Sequence, residues 1–207
     1  MHIYVFGSIC RGEVTLGSDI DLLACVNDDR HDFDSNKYSI YTYESLKNLW
    51  IEGNPFAWHL HKESKLIYAS DGLSFLDTLG SPSPYCNGRE DCEKFYSLFS
   101  SSRQSMERGD NSKIFNLSSV FLSIRNISTC YALHNGLTIF SRKSAFLIDP
   151  KLEIPSNVYS TLERARILAT RGFGAVPTQV EINEVVDEFD KIDLWMGVIL
   201  SKVNKDD

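Results

Sequence analysis

A short run rich in proline and glycine, Gly80-Ser-Pro-Ser-Pro84, divides this 207-residue chain into two parts with different sequence patterns. Two prolines and a glycine within five residues oppose both helices and strand ladders, which indicates a linker. A chain of this length can form one domain or two small ones. The run favours two, and we predict domains at residues 1–80 and 88–207 with a linker at 81–87.

The first part alternates short apolar, β-prone segments with short helical patterns, which is typical of a small α/β sheet. The segment at 20–26 is almost wholly apolar, which predicts a strand buried on both faces. Strands are predicted at residues 2–6, 20–26 and 38–43 and a helix at 44–51, whereas residues 56–60 and 66–68 fit either a strand or a buried helix.

The second part carries apolar residues at three- and four-residue steps, the spacing of helices that pack on one face. Helices are predicted at residues 89–108, 112–135, 141–147, 156–170 and 178–203. The predicted fold class is therefore α+β: a small mixed sheet domain followed by a helical bundle.

The net charge of the chain limits the classes of partner that it can bind. The formal net charge is −7, and residues 1–85 alone hold 6 Lys and Arg against 12 Asp and Glu. General nucleic-acid binding is not expected, because it needs clustered cations. No apolar run is long enough to span a membrane, and the five cysteines are scattered as free thiols would be. We expect a cytoplasmic protein that does not bind membranes.

Two short motifs carry the candidate chemistry. Gly7-Ser8 ends a predicted strand, where glycine lets the backbone approach a phosphate and the serine hydroxyl and a helix N-terminus can donate to it. Asp19 and Asp21 are two apart on the next predicted strand, so their side chains would share one face while Ile20 points into the core. Two carboxylates supply the hard oxygen ligands that Mg²⁺ prefers.

Each motif alone has an ordinary structural explanation. Glycine-serine turns are common, and an isolated Asp-x-Asp is usually a surface loop or a strand edge. Together the two motifs favour a functional site, because a carboxylate pair without a ligand on a strongly apolar strand would destabilise the fold.

The residues Gly7-Ser8, Arg11-Gly12-Glu13 and Ser18-Asp19-Ile20-Asp21-Leu22 resemble the signature of the polymerase β-like nucleotidyltransferase superfamily, especially its minimal members. The resemblance covers residues 3–26. It implies that Gly7, Ser8, Arg11 and Ser18 bind the nucleotide, and that Asp19 and Asp21 are catalytic and bind Mg²⁺. It also implies transfer of a nucleoside monophosphate from an NTP, with ATP expected, to an acceptor hydroxyl with release of pyrophosphate.

One position departs from the family, which usually has a third carboxylate on the following strand. Here that position is Ser39, and a serine cannot bind a metal or take up a proton in the same way at neutral pH. The alternative function is then a nucleotide-binding regulatory, antitoxin-like or defence protein with weak or no turnover. The residues that could replace the third carboxylate are Glu44, His59, His61, Glu63 and Asp71, with His59 and His61 expected to share a face.

The helical part is similar in plan to the acceptor-binding domains of aminoglycoside-type nucleotidyltransferases and to the helical toxin partners of minimal nucleotidyltransferases. Its predicted role is to bind the acceptor, a small molecule or a protein, or to bind a second copy of the chain or a partner protein. Ribonuclease activity of the toxin type is not expected, because Arg125 and His134 are too far apart in sequence for that motif.

Overall fold

The computed structural model describes residues 1–14, 19–27, 33–109 and 112–204. The chain divides into two compact units, Met1–Cys86 and Asn87–Asp207. The first contains a four-stranded mixed sheet and the second is helical, so the predicted α+β class is confirmed. The assignment of 1–80, 81–87 and 88–207 as a nucleotidyltransferase domain, a linker and an acceptor-binding or partner-binding domain stays a prediction.

The sheet of the first unit consists of β1 (His2–Phe6), β2 (Asp21–Val26), β3 (Tyr38–Thr42) and β4 (Ser64–Ala69), in the order β3-β2-β1-β4. Strand β1 is antiparallel to both of its neighbours, whereas β2 and β3 are parallel. As predicted from its apolar sequence, β2 is buried on both faces from Leu23 to Val26.

Four helices belong to the first unit: α1 (Ser8–Arg11), α2 (Tyr43–Ile51), α3 (Pro55–Glu63) and α4 (Phe75–Thr78). Helix α2 packs against β3 and α3 packs against β4. Alternate residues of β1 and β2 meet these helices in one core, whose buried members are Tyr4, Phe6, Leu23, Cys25, Leu46, Trp50, Ala57, Leu60 and Leu76.

One expectation for this unit is wrong in detail, and one alternative that the sequence left open is decided. Strand β2 begins at Asp21, and the side chain of Ile20 is 60% exposed rather than inserted in the core. Residues 56–60 belong to helix α3, whose start is fixed by Pro55 in the first turn and by the Asn54 side chain, which accepts the Phe56 amide proton.

The second unit contains five α-helices and one short 3₁₀ helix in its described residues, with a core centred on α6. The helices are α5 (Gly88–Glu107), α6 (Lys113–His134), the 3₁₀ helix (Ser144–Phe146), α7 (Ser156–Arg171), α8 (Gln179–Asp187) and α9 (Phe189–Val203). Helix α6 contacts α5, α7 and α9. In the described part of the chain, no helix combines the length and apolar character needed to cross a membrane.

Helix α6 is buried around most of its circumference rather than along one stripe, although it is rich in serine. The hydroxyls of Ser123 and Ser128 donate to the carbonyls of Ser119 and Ile124, four residues earlier. Because these hydroxyls are satisfied inside their own helix, they can lie in an apolar bundle at little cost.

The C-terminal segment contains two helices where one was predicted over 178–203. Helix α8 ends at Asp187 and α9 begins at Phe189, whose side chain is buried and meets the Phe99 ring edge-on at 5.9 Å. The break lets the chain pack against two sides of the bundle. The helix predicted at 141–147 is also shorter, a single 3₁₀ turn.

Candidate functional site

The topology of the sheet brings one end of each of its four strands to the same edge. The C-terminal end of β1 lies beside the N-terminal ends of β2 and β4, because β1 is antiparallel to both. The parallel pairing of β2 and β3 brings the start of β3 to the same edge, with Leu22 opposite Tyr38. The turn after β1 therefore meets the residues that lead into the other three strands.

A pocket of about 370 Å³ lies at this edge, between the residues that lead into β2 and those that lead into β3. One wall contains Asp19, Ile20, Asp21 and Leu22, and the other contains Ser35, Asn36, Lys37, Tyr38 and Ser39. The two carboxylates predicted from the sequence thus line one concave site with Ser39, the residue at the expected third position. Ser18, the remaining predicted nucleotide ligand, lies outside the described residues.

Gly7 lies directly against the Asp21 carboxylate. A Cβ atom on residue 7 would come within 2.6 Å of Asp21 Oδ2, closer than real Cβ contacts allow. The backbone of Gly7 has φ 77° and ψ −143°, a conformation open almost only to glycine. Both features show why this position carries glycine: any side chain would displace Asp21.

Ser8 is buried, and its Oγ atom has no hydrogen-bond partner among the described residues. A buried hydroxyl without a partner costs about 1–3 kcal/mol, so a ligand oxygen at this atom would be stabilising. Helix α1, which begins at Ser8, is a single turn of four residues. Its dipole can add little, so the Ser8 hydroxyl is the main donor that the turn offers to an anion.

Arg11, which the resemblance places near the phosphates, is held by carboxylates. Its Nε donates to Glu13 Oε2 at 3.0 Å and its Nη1 forms a short ion pair with Glu63 Oε2. His59 Nε2 lies 2.9 Å from the same Glu63 oxygen. Burial acts to raise the pKa of Glu63, but the hydrogen bond from His59 and the charge of Arg11 outweigh it, and the pKa is lowered.

The other residues considered as a third carboxylate do not line the pocket. Glu44 is exposed in the first turn of α2, and Asp71 pairs with His2 at the opposite edge of the sheet, 3.1 Å away. His59 and His61 do not share a face, because they lie on helix α3 and side chains two positions apart on a helix point about 200° apart. Glu63 is near the turn but is already engaged by Arg11.

Sequence reasoning missed the second wall of the pocket. Asp34 Oδ1 accepts the backbone and side-chain N–H groups of Asn36, at 2.9 and 3.0 Å, which folds residues 34–36 into a turn. Lys37 follows this turn and is largely exposed at the pocket. The Asp-x-Asn turn was readable in the sequence, but its position opposite Asp21 depends on the pairing of β2 with β3.

The donor set suits Mg²⁺ held jointly with a nucleotide. Among the described residues, no group of three or more His, Cys, Asp or Glu side chains is arranged to hold a metal ion. Asp19 and Asp21 offer carboxylate oxygens at the pocket, and Mg²⁺ sites of this kind are completed by phosphate oxygens and water. The Ser8 hydroxyl, which has no partner among the described residues, fits such a phosphate partner.

The comparison with protein families agrees with this geometry. The nucleotidyltransferase domain family matches residues 2–69, which include all four strands and α1 to α3. This segment is a nucleotidyltransferase domain, consistent with the polymerase β-like superfamily, and the match supports nucleotidyl transfer from an NTP as the class of activity. The match covers less than half of the chain. A comparison with curated proteins finds no match.

Proposed function

We propose that this protein is an Mg²⁺-dependent nucleotidyltransferase that uses an NTP, with ATP expected, and modifies a hydroxyl of a small molecule or a protein. The observation that carries the proposal is the packing of the Asp21 carboxylate against Gly7, beside the unsatisfied Ser8 hydroxyl. It brings a carboxylate that lines the pocket, and that can hold a metal, next to the turn that carries a donor for a phosphate.

In this proposal, the described residues bind and orient the triphosphate. Ser8 Oγ donates to a phosphate oxygen, and Asp19 and Asp21 hold Mg²⁺. The bound metal would neutralise phosphate charge and stabilise the pyrophosphate leaving group. The acceptor oxygen forms a bond to the α-phosphorus and gives up its proton to solvent water, as the bond to the pyrophosphate oxygen breaks and pyrophosphate leaves. Ser18 is proposed as a further nucleotide ligand from the family resemblance alone.

The second candidate function is nucleotide binding with little or no turnover, in a regulatory, antitoxin-like or defence role. Ser39 favours it, because this residue lines the pocket where the family has a carboxylate, and Lys37 stands on the same wall. A hydroxyl neither accepts the acceptor proton at neutral pH nor adds charge for a second metal ion. Position 39 therefore separates the two functions.

The test uses the full chain, Mg²⁺ and NTPs labelled at the α-phosphate, with aminoglycosides, other hydroxyl compounds and proteins as acceptors. We expect label transfer by the wild-type protein and none by Asp19→Asn combined with Asp21→Asn. Asp77→Asn, which removes an exposed carboxylate from α4, is the matched control and should transfer normally. Circular dichroism confirms that each variant is folded.

The outcomes separate the candidates. Nucleotide binding that needs Asp19 and Asp21 but produces no labelled acceptor supports the binding protein. A wild-type protein that binds neither Mg²⁺ nor any NTP contradicts both functions. The helical unit is proposed to bind the acceptor or a partner chain, and its removal should then abolish transfer while nucleotide binding remains.

A further inference from the structure

Glu63 contacts the turn after β1 through both its backbone and its side chain. It is the last residue of α3 and precedes β4, and the β1–β4 pairing places it beside Gly7. Its carbonyl oxygen accepts the Gly7 amide proton at 3.2 Å. Its carboxylate binds Arg11, at the other end of α1. One residue therefore holds both ends of the turn that contains Ser8.

The turn needs such support from outside. Helix α1 has four residues, and one helical turn in isolation is unstable because nucleation costs more than a single hydrogen bond returns. Ser8 and Arg11 are three residues apart, so they lie on the same side of the turn. A contact that fixes Arg11 consequently restrains the backbone of the turn that carries Ser8.

The carboxylate of Glu63 is built for this role. Its side chain is 12% exposed and that of Arg11 is 17% exposed, so neither charge is well hydrated. A buried carboxylate is tolerated when it is paired and satisfied, and here Arg11 pairs with Glu63 while His59 Nε2 lies 2.9 Å from the same oxygen. His59 is itself fixed by an edge-on contact with the Phe6 ring at 5.7 Å. The cluster is thereby anchored to the end of β1.

We propose that Glu63 is a positioning residue: it acts through Arg11 to hold Ser8 in the geometry that accepts a nucleotide phosphate. This inference rests on the proposed nucleotide site. Glu63 does not touch the nucleotide itself. Loss of a supporting partner of this kind commonly weakens ligand or metal affinity by about 10- to 100-fold, and we expect a loss in this range for Glu63→Gln.

The experiment is calorimetric titration of the full chain with a non-hydrolysable ATP analogue and MgCl₂. Glu63→Gln keeps the shape of the side chain and removes its charge. Asp71→Asn is the matched control, because it removes the carboxylate paired with His2 at the opposite edge of the sheet. We expect Asp71→Asn to bind the nucleotide with about wild-type affinity. We expect Glu63→Gln to lose more affinity than its change in melting temperature can explain.

A double-mutant cycle tests whether Glu63 acts through Arg11. If it does, the double variant Glu63→Gln with Arg11→Gln binds the nucleotide no more weakly than Arg11→Gln alone. The reason is that the ion pair between residues 63 and 11 is already lost in Arg11→Gln. If Glu63 instead affects binding independently of Arg11, the losses of binding free energy from the two single variants should add in the double variant. Should Glu63→Gln fail to fold, Glu63→Asp keeps the charge but shortens the reach to Arg11, and an intermediate loss is expected.

The results also distinguish this inference from the proposed function. A wild-type protein that binds no Mg²⁺-nucleotide overturns the proposed function. A wild-type protein that binds, with Glu63→Gln within twofold of it, overturns the positioning role and leaves the site intact. The positioning role is equally overturned if Asp71→Asn weakens binding as much as Glu63→Gln.

Discussion

Replacement of Gly7 by alanine tests the packing that underlies the whole site. Two costs follow from the structure. Alanine would occupy φ 77° and ψ −143°, a region that costs a residue with a side chain about 1–3 kcal/mol. Its Cβ would also stand 2.6 Å from Asp21 Oδ2, and turning that carboxylate aside costs about 1 kcal/mol more. We expect Gly7→Ala to lower the free energy of unfolding by about 2–4 kcal/mol.

Gly12→Ala is the matched control within the same turn. Gly12 also has a positive φ, 72°, but a Cβ there would meet nothing within 4 Å. Its expected cost is the backbone strain alone, about 1–2 kcal/mol. The difference between the two variants combines the contact with Asp21 and the less favourable backbone conformation of Gly7. Only Gly7→Ala should lose Mg²⁺-nucleotide binding through displacement of a carboxylate.

Urea unfolding followed by tryptophan fluorescence measures these free energies, because Trp50 and Trp58 both belong to the first unit. Trp195 reports on the second unit, so circular dichroism is needed to separate the two transitions. If Gly7→Ala costs no more than Gly12→Ala and binds Mg²⁺-nucleotide as the wild type does, Asp21 is not held against residue 7 and the assignment of the site is wrong.

Three further predictions concern other parts of the chain. His2→Phe should lower the free energy of unfolding, measured in urea titrations, by about 1–3 kcal/mol. His2 is buried and hydrogen-bonded at both ring nitrogens, and its replacement would leave the Leu73 carbonyl unpaired. An unchanged urea midpoint would contradict this prediction. The pKa of Glu181 is lowered to about 2 by the backbone N–H of Thr178, by Arg164 and by the Thr178 hydroxyl. Because the folded pKa lies below the ordinary value of 4.5, this stabilisation is complete above about pH 4.5 and is lost as the pH falls toward 2. Melting temperatures across that range should fall less steeply for Glu181→Gln than for the wild type, and parallel curves would exclude the contribution. Finally, Ser39→Asp should strengthen Mn²⁺ binding in the presence of nucleotide, measured by electron paramagnetic resonance, whereas Ser39→Ala should not; equal binding by both variants would remove Ser39 from the metal site.

Much of the first unit could be predicted from the sequence because its signals are local. Apolar runs marked three strands, and Gly7-Ser8 marked the turn after β1. The helical nature of 55–63 was also readable, since Asn54 caps the helix and Pro55 occupies its first turn. The apolar run at 56–60 alone does not distinguish a buried strand from a buried helix, and so it left both open.

The misses share a different cause, which is tertiary packing. Neither glycine nor proline marks the break between α8 and α9, and Glu188 has helical dihedral angles. The break is set by the burial of Phe189. The contact between Glu63 and Arg11 was equally hidden, because the two residues are 52 positions apart and meet only through the pairing of β4 with β1. Local patterns carry no information about such pairings.

The two walls of the pocket differ in charge, and this difference bears on what the site can hold. The wall that leads into β2 carries Asp19 and Asp21, whereas the wall that leads into β3 carries Lys37 and the neutral Ser39. A magnesium nucleotide presents a cation and a polyanion side by side, so opposed acidic and basic walls are complementary to it. On the wall that leads into β3, no described pocket residue adds a carboxylate for a second metal ion. Charge therefore favours one tightly held metal with its nucleotide, and the effect of Ser39→Asp on metal binding addresses this directly.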